Sequence, residues 1–347
     1  MDTPSIAVVG AGPAGATAAR LLAAAGARVA LLEARNLPRA KLCGGGLTPK
    51  AQRLVPPAAL ATVERRVHRL ELHGGRVPPI RLDEPAAEIA MVERDRFDFA
   101  LTEAAAAAGA DVRAGERVET VTEDGAGVTL TTRTGRLRVD ALVAADGDPS
   151  GIARRLGLGG PATRHSLALE VDLPLAAEVE PDTAILSFAL PGGYAWYFPK
   201  GDHANVGAGT YHVATRDGAT HQALRASLIR FAADHGLDAT GRIAGHWIPQ
   251  SLRTGPLASG RVVLAGDAAA TADPLFGEGI AYAIVSGAAA AGAVADWQAG
   301  RIADLRPYDG RLRELLGPGF GRLVHAANGA ERALTLAMLG IRLSRWV

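Results

Sequence analysis

Three glycines and one glutamate near the start of the sequence have the types and spacing that hold a dinucleotide. Gly10, Gly12 and Gly15 form a G-x-G-x-x-G turn, and Glu33 follows Gly15 by about 18 residues. Gly10 permits a tight turn, Gly12 lets the backbone approach a pyrophosphate, and Gly15 lets a helix pack close to a strand. Glu33 is placed to accept hydrogen bonds from an adenosine ribose, and its charge disfavours a 2′-phosphate. The pattern predicts NAD or FAD rather than NADP, and the alternative is a glycine turn that binds nothing.

The segments around this turn have the composition of a strand, a helix and a second strand. Ile6–Val9 and Val29–Leu32 are short apolar runs that are typical of buried strands. The Ala/Leu-rich segment between them is long enough for a helix, and Gly26 is placed to cap it. The N-terminus of that helix offers free N–H groups and a partial positive charge to phosphates. This order of elements is the context that the dinucleotide motif requires.

The only cysteine, Cys43, is followed by three glycines and lies in a basic segment. Glycines at 44–46 allow the backbone to approach a planar ring closely. A single cysteine forms no intramolecular disulfide, which favours a reducing compartment. Its thiol is either an inert apolar group or a proton donor. The surrounding cations, including Arg39 and Lys41, form either a solvated face or a contact with anions.

Three aromatic side chains alternate with two other residues in a second candidate region. Tyr194, Trp196 and Phe198 fall on one face of a predicted strand, and Ala195 and Tyr197 fall on the other. The three aromatics form either part of the core or one wall of a cavity for an apolar, polyene-like substrate. Such a wall supplies no acid except the Tyr194 hydroxyl.

Four further stretches resemble one family of flavoproteins. Residues 143–158 (VAADGDPSGIARRLGL) and 262–287 (VVLAGDAAATADPLFGEGIAYAIVSG) resemble the second and third flavin motifs of glutathione-reductase-like, aromatic-hydroxylase-type enzymes. Residues 41–51 (KLCGGGLTPKA) and 194–199 (YAWYFP) resemble the signatures of the geranylgeranyl reductase family of FAD-dependent oxidoreductases. The resemblance implies an α/β fold with a Rossmann-like FAD-binding domain, a second mixed-sheet substrate domain and a short helical C-terminal region.

The same resemblance implies which residues contact non-covalent FAD. Asp267 corresponds to an aspartate that meets the ribityl chain, and its alternative role is to cap a helix. A long helix is expected to start near Gly279, with its N-terminus at the pyrimidine edge of the flavin. Arg94 contacts FAD by resemblance, or else is a surface residue at a helix start. The expected FAD contacts are Gly10, Gly12, Pro13, Ala14, Gly15, Glu33, Ala34, Cys43, Gly44, Gly46, Arg94, Val118, Asp146, Gly147, Gly266, Asp267, Gly277, Gly279 and Ile280.

The implied reaction is hydride transfer from reduced flavin to a carbon–carbon double bond of a prenyl substrate. The expected substrate contacts are Tyr194, Trp196, Phe198 and Pro274, and the proton is expected from Cys43, Tyr194 or water. An FAD-dependent monooxygenase and a prenyl-binding carrier without redox activity are alternatives on the same fold. NAD(P)H or another electron donor is expected to dock transiently, because no second G-x-G-x-x-G is present. The histidines and the cysteine lack metal-ligand spacing, so we expect no metal.

Length and composition predict a globular chain with room for two domains. The 347 residues are 48% apolar and 21% charged, and a net charge of +1 gives no support to nucleic-acid binding. The first predicted strand lies so close to Met1 that no cleaved signal peptide is expected. We expect a cytoplasmic protein, with peripheral membrane contact through the apolar and basic residues 323–347 as an alternative to ordinary helix packing.

The predicted domains are interleaved along the chain. We expect the FAD-binding domain at residues 1–66, 93–165 and 256–300, the substrate domain at 67–92 and 166–255, and a helical region at 301–347. Within that last region the sequence Gly317-Pro318-Gly319 predicts a break.

Overall fold

The computed structural model describes residues 5–74, 77–190, 192–213 and 218–328. Its strands are β1 (Ile6–Val9), β2 (Val29–Leu32), β3 (Gly46–Leu47), β4 (Val63–Val67), β5 (Arg69–Gly74), β6 (Val77–Asp83), β7 (Ile89–Val92), β8 (Asp111–Arg113), β9 (Val118–Asp124), β10 (Gly127–Thr132), β11 (Arg136–Val139), β12 (Ala141–Ala144), β13 (Ala162–Pro174), β14 (Thr183–Ser187), β15 (Gly193–Pro199), β16 (His203–Thr210), β17 (Ala244–Arg253) and β18 (Val262–Leu264). Its α-helices are α1 (Pro13–Ala24), α2 (Pro49–Leu54), α3 (Pro57–Leu60), α4 (Arg94–Ala107), α5 (Gly151–Leu156), α6 (Gly218–Ala233), α7 (Ile280–Gln298) and α8 (Pro307–Asn328).

A five-stranded parallel sheet holds the nucleotide motifs at one edge. Its strand order is β18-β12-β1-β2-β8. Val9 is in register with Leu32 on one side and with Ala144 on the other, so the carboxyl ends of these strands meet. Every residue of β1, β2 and β12 is buried, as in parallel sheets that are covered on both faces. The turns after these strands therefore lie together, which is where α/β sheets bind ligands.

Helix α1 packs closely on the turn that precedes it and on α7, because glycines occupy the contact positions. A Cβ at Gly15 would lie 1.9 Å from the carbonyl oxygen of Gly10, and a Cβ at Gly287 would lie 2.2 Å from that of Ala14. The Rossmann-like unit predicted from the sequence is confirmed, including the packing role of Gly15. Helix α7 is long and apolar enough, by length and composition alone, to span a membrane, and half of that stretch is buried within the protein.

The second large sheet of the protein has seven strands and is mixed. Its order is β17-β13-β16-β15-β14-β5-β6, and only the β14–β5 pair is parallel among these neighbours. Helix α6 covers one face, where Leu169, Tyr197 and Val206 join its Leu228 in a buried apolar cluster. The alternate residues of the same strands face away from α6, and they include the three aromatic side chains of β15.

Two three-stranded sheets complete the fold, in the orders β3-β7-β4 and β11-β10-β9. Strand β7 lies within the expected 67–92 piece of the substrate domain, but it pairs with β3 and β4 and not with the seven-stranded sheet. The predicted α/β class with a second mixed sheet is confirmed, whereas the domain bounds remain predictions.

Helix α8 continues through Gly317-Pro318-Gly319, so the break expected there is wrong. Leu312, Leu316 and Phe320 are buried, and the Phe320 ring packs edge-on against Tyr282 with 5.0 Å between centroids. Packing on both sides of Pro318 thus offsets the hydrogen bond that a proline removes from a helix interior. Residues 329–347, which carry most of the predicted amphipathic tail, lie outside the described residues.

Candidate active site

The glycine turn contains a glycine that protein packing requires, Gly10, and one that it does not require, Gly12. Gly10 has φ +101°, and a Cβ there would lie 2.2 Å from the carbonyl oxygen of Ala145. Gly12 is the N-cap of α1, and the nearest atom to a Cβ there is Nη2 of Arg39, at 3.7 Å. Protein packing therefore does not explain the glycine at position 12. An open position at a buried helix N-terminus fits a pyrophosphate, which needs close approach to the backbone N–H groups.

Glu33 lies at the end of β2 beside this turn, as the sequence predicts. Its Oε2 accepts hydrogen bonds from the backbone N–H of Ala11 and from Nε of Arg39, both at 3.0 Å. Its Oε1 accepts one hydrogen bond from the backbone N–H of Arg35, also at 3.0 Å. A carboxylate has room for about four such bonds, so Oε1 keeps acceptor capacity for a ribose hydroxyl.

A buried ion network that sequence reasoning missed lies behind the turn. Asp98 is fully buried and accepts hydrogen bonds from Nε and Nη2 of Arg94 at 2.8 and 2.9 Å, while Nη1 of Arg39 lies 3.4 Å away. Burial acts to lower the pKa of Arg94, but the charges of Asp98 and Cys43 outweigh it and the pKa is raised. Arg94 is therefore not the surface residue of the alternative interpretation. The one sequence signal for Arg39 was its place in the basic segment after Glu33.

The remaining expected contacts on the adenosine side lie around the same edge. Pro13 and Ala14 are buried in the first turn of α1. Ala34 follows Glu33 directly, and Val118 begins β9 two residues after Glu116, whose N–H donates to the carbonyl oxygen of Glu33. These placements agree with the predicted site, and contact with FAD itself stays a prediction for each residue.

The turn after β12 serves a local capping role. The carboxylate of Asp146 accepts hydrogen bonds from the Ser150 hydroxyl at 2.7 Å and from the backbone N–H of Ile152 at 3.2 Å, at the start of α5. Burial raises the pKa of Asp146. Gly147 follows with φ +80°. The next residue, Asp148, binds Nη2 of Arg253 at 2.7 Å, which ties this turn to β17.

Asp267 lies three residues after the end of β18, in the 3₁₀ turn Gly266–Ala269. Gly266 is buried against α1, and its N–H donates to the Ser286 hydroxyl of α7 at 2.9 Å. Within the described part of the chain, the Asp267 carboxylate accepts no hydrogen bond, although its charge acts on nearby Lys41. A half-buried carboxylate at the sheet edge with free acceptor sites fits a ribityl hydroxyl chain.

Replacing Asp267 by alanine should weaken FAD binding by about 1–3 kcal/mol, the usual cost of leaving a buried polar partner unsatisfied. Equilibrium dialysis of the apoprotein against FAD measures this change. The exposed Asp234, beyond α6, provides the control, because its replacement by alanine removes the same charge far from the sheet edge. Unchanged FAD affinity in the Asp267 variant would exclude the ribityl role.

The loop before α7 is held by one buried carboxylate. Asp273 accepts hydrogen bonds from the backbone N–H groups of Leu275, Phe276 and Glu278 at 2.7–2.8 Å, and burial raises its pKa. Pro274 is buried between them. The loop ends with Gly277, Gly279 as N-cap of α7, and Ile280 as its first residue. The N-terminus of α7 thus lies at the end of this loop, with its partial positive charge.

The Cys43 loop, residues 43–46, contacts both the helices of the parallel sheet and the seven-stranded sheet. Cys43 packs against the apolar cluster that contains Ala16 of α1 and Ile280 of α7, and its backbone N–H acts on the carboxylate of Glu170 on β13, lowering the pKa of that group. A Cβ at Gly44 would lie 2.8 Å from the ring of Phe198. Lys41 places its Nζ 2.8 Å from Nε2 of His246 on β17, and burial lowers the pKa of both groups. Gly46 begins β3.

The three aromatic side chains share one face of β15, as predicted. The centroid distances are 5.8 Å between Tyr194 and Trp196 and 6.3 Å between Trp196 and Phe198. Trp196 is only 6% exposed, and its Nε1 donates to Oδ1 of Asn205 at 2.8 Å. The Tyr194 hydroxyl donates to the carbonyl oxygen of Phe276, and burial raises its pKa, which makes it a poorer acid.

The described residues contain no group of three or more His, Cys, Asp or Glu side chains that could hold a metal ion. The arrangement instead brings the start of α1, two carboxylates that follow strands and the start of α7 to one edge of the parallel sheet. The glycine loop, residues 43–46, packs there against the aromatic face of the second sheet. Such a site can hold a dinucleotide with a planar ring at its far end, next to an apolar surface.

Comparison with known proteins agrees with this geometry. The FAD binding domain family matches residues 2–301. A menaquinone reductase of Mycolicibacterium smegmatis is 32% identical over 82% of the chain and 75% of its own length. A digeranylgeranylglycerophospholipid reductase of Thermoplasma volcanium is 34% identical over 84% of the chain and 78% of its own length. A solved geranylgeranyl bacteriochlorophyll reductase-like protein of Thermoplasma acidophilum superposes with a TM-score of 0.83, at 27% identity, over 96% of the chain and 88% of its own.

Proposed function

Because the chain belongs to the geranylgeranyl reductase family of FAD-dependent oxidoreductases, we propose that it reduces a carbon–carbon double bond of a prenyl chain. Reduced FAD supplies the hydride when it is bound. The relatives act, by their names, on a quinone and on a prenylated glycerophospholipid. What these substrates share is an apolar isoprenoid chain, so the proposal commits to that chain and not to a head group.

One observation carries the proposal: the glycine loop lies between the start of α7 and the aromatic face of β15. Cys43 packs against the apolar cluster that includes Ile280, and Gly44 packs against Phe198 with no room for a side chain. A flat ring against this loop would meet backbone on one side, while the aromatic rings offer an apolar wall to an alkene. This wall excludes water, which protects a reactive hydride and orients the chain.

The protein's own groups would then act by positioning. Arg39 and the N-terminus of α1 would bind the pyrophosphate. Glu33 would hold the adenosine ribose, and Asp267 would hold the ribityl chain. The N-terminus of α7 would stabilise negative charge on the flavin ring. Tyr194 closes the wall through its hydrogen bond to the loop before α7. The electron donor, NAD(P)H or another reductant, is proposed to dock transiently against the flavin.

The test is anaerobic reoxidation. The purified protein is photoreduced without oxygen and mixed with geranylgeranyl diphosphate, with a prenylated quinone and with a geranylgeranyl glycerolipid. We expect the flavin absorbance to return with at least one of them, and mass spectrometry to show two added hydrogens per reduced bond. Reoxidation that occurs only with oxygen, together with an oxygenated product, would instead support a monooxygenase.

We further propose a cytoplasmic protein that meets its lipid-like substrate at a membrane surface. The support is the apolar nature of the proposed substrate. Sedimentation with anionic liposomes tests this, and a chain ending at Asn328 serves as the comparison. Equal sedimentation of both chains would remove residues 329–347 from the membrane contact.

A further inference from the structure

A buried carboxylate on the active-site face of the second sheet has no assigned part in binding FAD or substrate. Glu170 lies on β13 and is 8% exposed. Its neighbour Leu169 packs into the cluster beneath α6, so Glu170 faces the opposite side, which also carries the aromatic residues. Across the sheet, Glu170 is in register with Gly207, and Gly207 is in register with Trp196.

The electrostatic surroundings of Glu170 link it to the glycine loop, residues 43–46. The backbone N–H of Cys43 and the charges of Lys200, Asp172 and Lys41 act on its carboxylate. Burial raises the pKa of Glu170 to about 7, and the Cys43 N–H and the two lysines only partly oppose this. A carboxyl group of this kind is present in both its acid and base forms near neutral pH, as general acids must be.

Reduction of an alkene needs a proton as well as a hydride, and the other candidates at the site are poorly suited. The Tyr194 hydroxyl already donates to a carbonyl oxygen, and burial makes it a weaker acid. Lys41 and His246 are hydrogen-bonded to each other. The Cys43 Sγ accepts a hydrogen bond from the N–H of Gly45 at 3.4 Å, which holds the thiol within its own loop.

We propose that Glu170 supplies the proton for reduction of the prenyl double bond. The protonated carboxyl gives its proton to one alkene carbon, and the other carbon accepts the hydride that reduced FAD supplies. The two carbons thereby gain two hydrogens and two electrons, the flavin is oxidised, and the Glu170 carboxylate regains a proton from solvent. This inference rests on the proposed reductase function and adds a group that the sequence did not indicate.

The test compares the wild type with Glu170→Gln and with Glu71→Gln, a carboxylate of the same sheet on β5. All three should bind FAD with the same spectrum. Glu170→Gln should slow anaerobic reoxidation by prenyl substrate about 100-fold or more, the usual contribution of a general acid. The wild-type rate should fall as pH rises through about 7, and the residual rate of Glu170→Gln should be flat in that window.

A second readout does not depend on turnover. The folded pKa of Glu170 lies above its ordinary value of about 4.5, so its contribution to stability is complete below that value and is lost as pH rises through about 7. The midpoint temperature of thermal unfolding should therefore fall between pH 4.5 and about 7, and it should fall further for the wild type than for Glu170→Gln. Identical pH dependence of stability in the two proteins would overturn the assignment.

The outcomes separate this proposal from the function on which it rests. A wild type that reduces no prenyl substrate overturns the reductase function. A wild type that is active but shows no acid group near pH 7 in its rate profile overturns Glu170 alone, even if Glu170→Gln does not fold. Equal rates in the wild type and Glu170→Gln do the same.

Discussion

Replacing Gly12 by valine is expected to give a folded protein that purifies colourless. The nearest atom to a Cβ at this position is the flexible end of Arg39, at 3.7 Å, so the protein can accommodate the side chain. A bound pyrophosphate cannot, because it must approach the backbone N–H groups at the start of α1. Losing two charge-assisted hydrogen bonds, at about 1.5–3 kcal/mol each, would remove nearly all bound FAD. Absorbance near the flavin bands after purification, together with circular dichroism, measures both parts.

Two other glycines provide the contrast for this variant. Gly292→Ala lies in α7 with no atom within 4 Å of the new Cβ, so it should remain yellow and fold normally. Gly15→Ala would place its Cβ 1.9 Å from the carbonyl oxygen of Gly10, so it should lose FAD because the domain itself is disrupted. A Gly12→Val protein that keeps stoichiometric FAD would contradict the pyrophosphate assignment.

Replacing Gly207 by alanine should disable the aromatic wall while leaving the nucleotide site intact. The indole of Trp196 lies flat across Gly207, and a Cβ there would be 2.1–2.7 Å from three of its ring atoms. Trp196 cannot move away freely, since its Nε1 donates to Asn205 and Gly44 lies close to that same nitrogen. Forcing it out should cost about 1–3 kcal/mol of unfolding free energy and abolish substrate-dependent reoxidation.

Gly209→Ala is the matched control, because it lies two residues along the same strand. Its Cβ would be 3.5 Å from the same indole, an ordinary van der Waals contact, so stability and activity should remain close to wild type. Urea unfolding and anaerobic reoxidation of both variants provide the comparison. If both variants behave alike, the flat placement of Trp196 is unimportant for the reaction.

The parts of the fold that the sequence predicts well are those with local signals. The strand Ile6–Val9, the helix capped near Gly26 and the start of α7 after Gly279 agree with the structure. The strand depends on a short apolar run and the two helices on a glycine at one end, and both signals act within a few residues. The α/β class and the later flavin motifs follow from the resemblance of four short stretches to one flavoprotein family.

What could not be predicted depends on contacts between distant segments. Glu170 gains its environment from a loop more than a hundred residues earlier in the chain, and Gly207 faces Trp196 only because β15 and β16 pair. Asp98 becomes a buried anion because Arg39 and Arg94 converge on it. Pro318 fails as a helix breaker because of packing that a local pattern does not contain.

The strand order of the parallel sheet also determines when the protein can complete its folding during synthesis. Strand β18 pairs with β12 at one edge, yet it is synthesised after every strand of the second sheet. Until then the edge of β12 has unpaired backbone groups, which invite association with other chains. The nascent chain also lacks Asp267 and α7, so it can recruit FAD only late in translation. When the protein is synthesised quickly, we therefore expect part of it to aggregate without FAD. The supply of chaperones should then limit the yield of yellow enzyme.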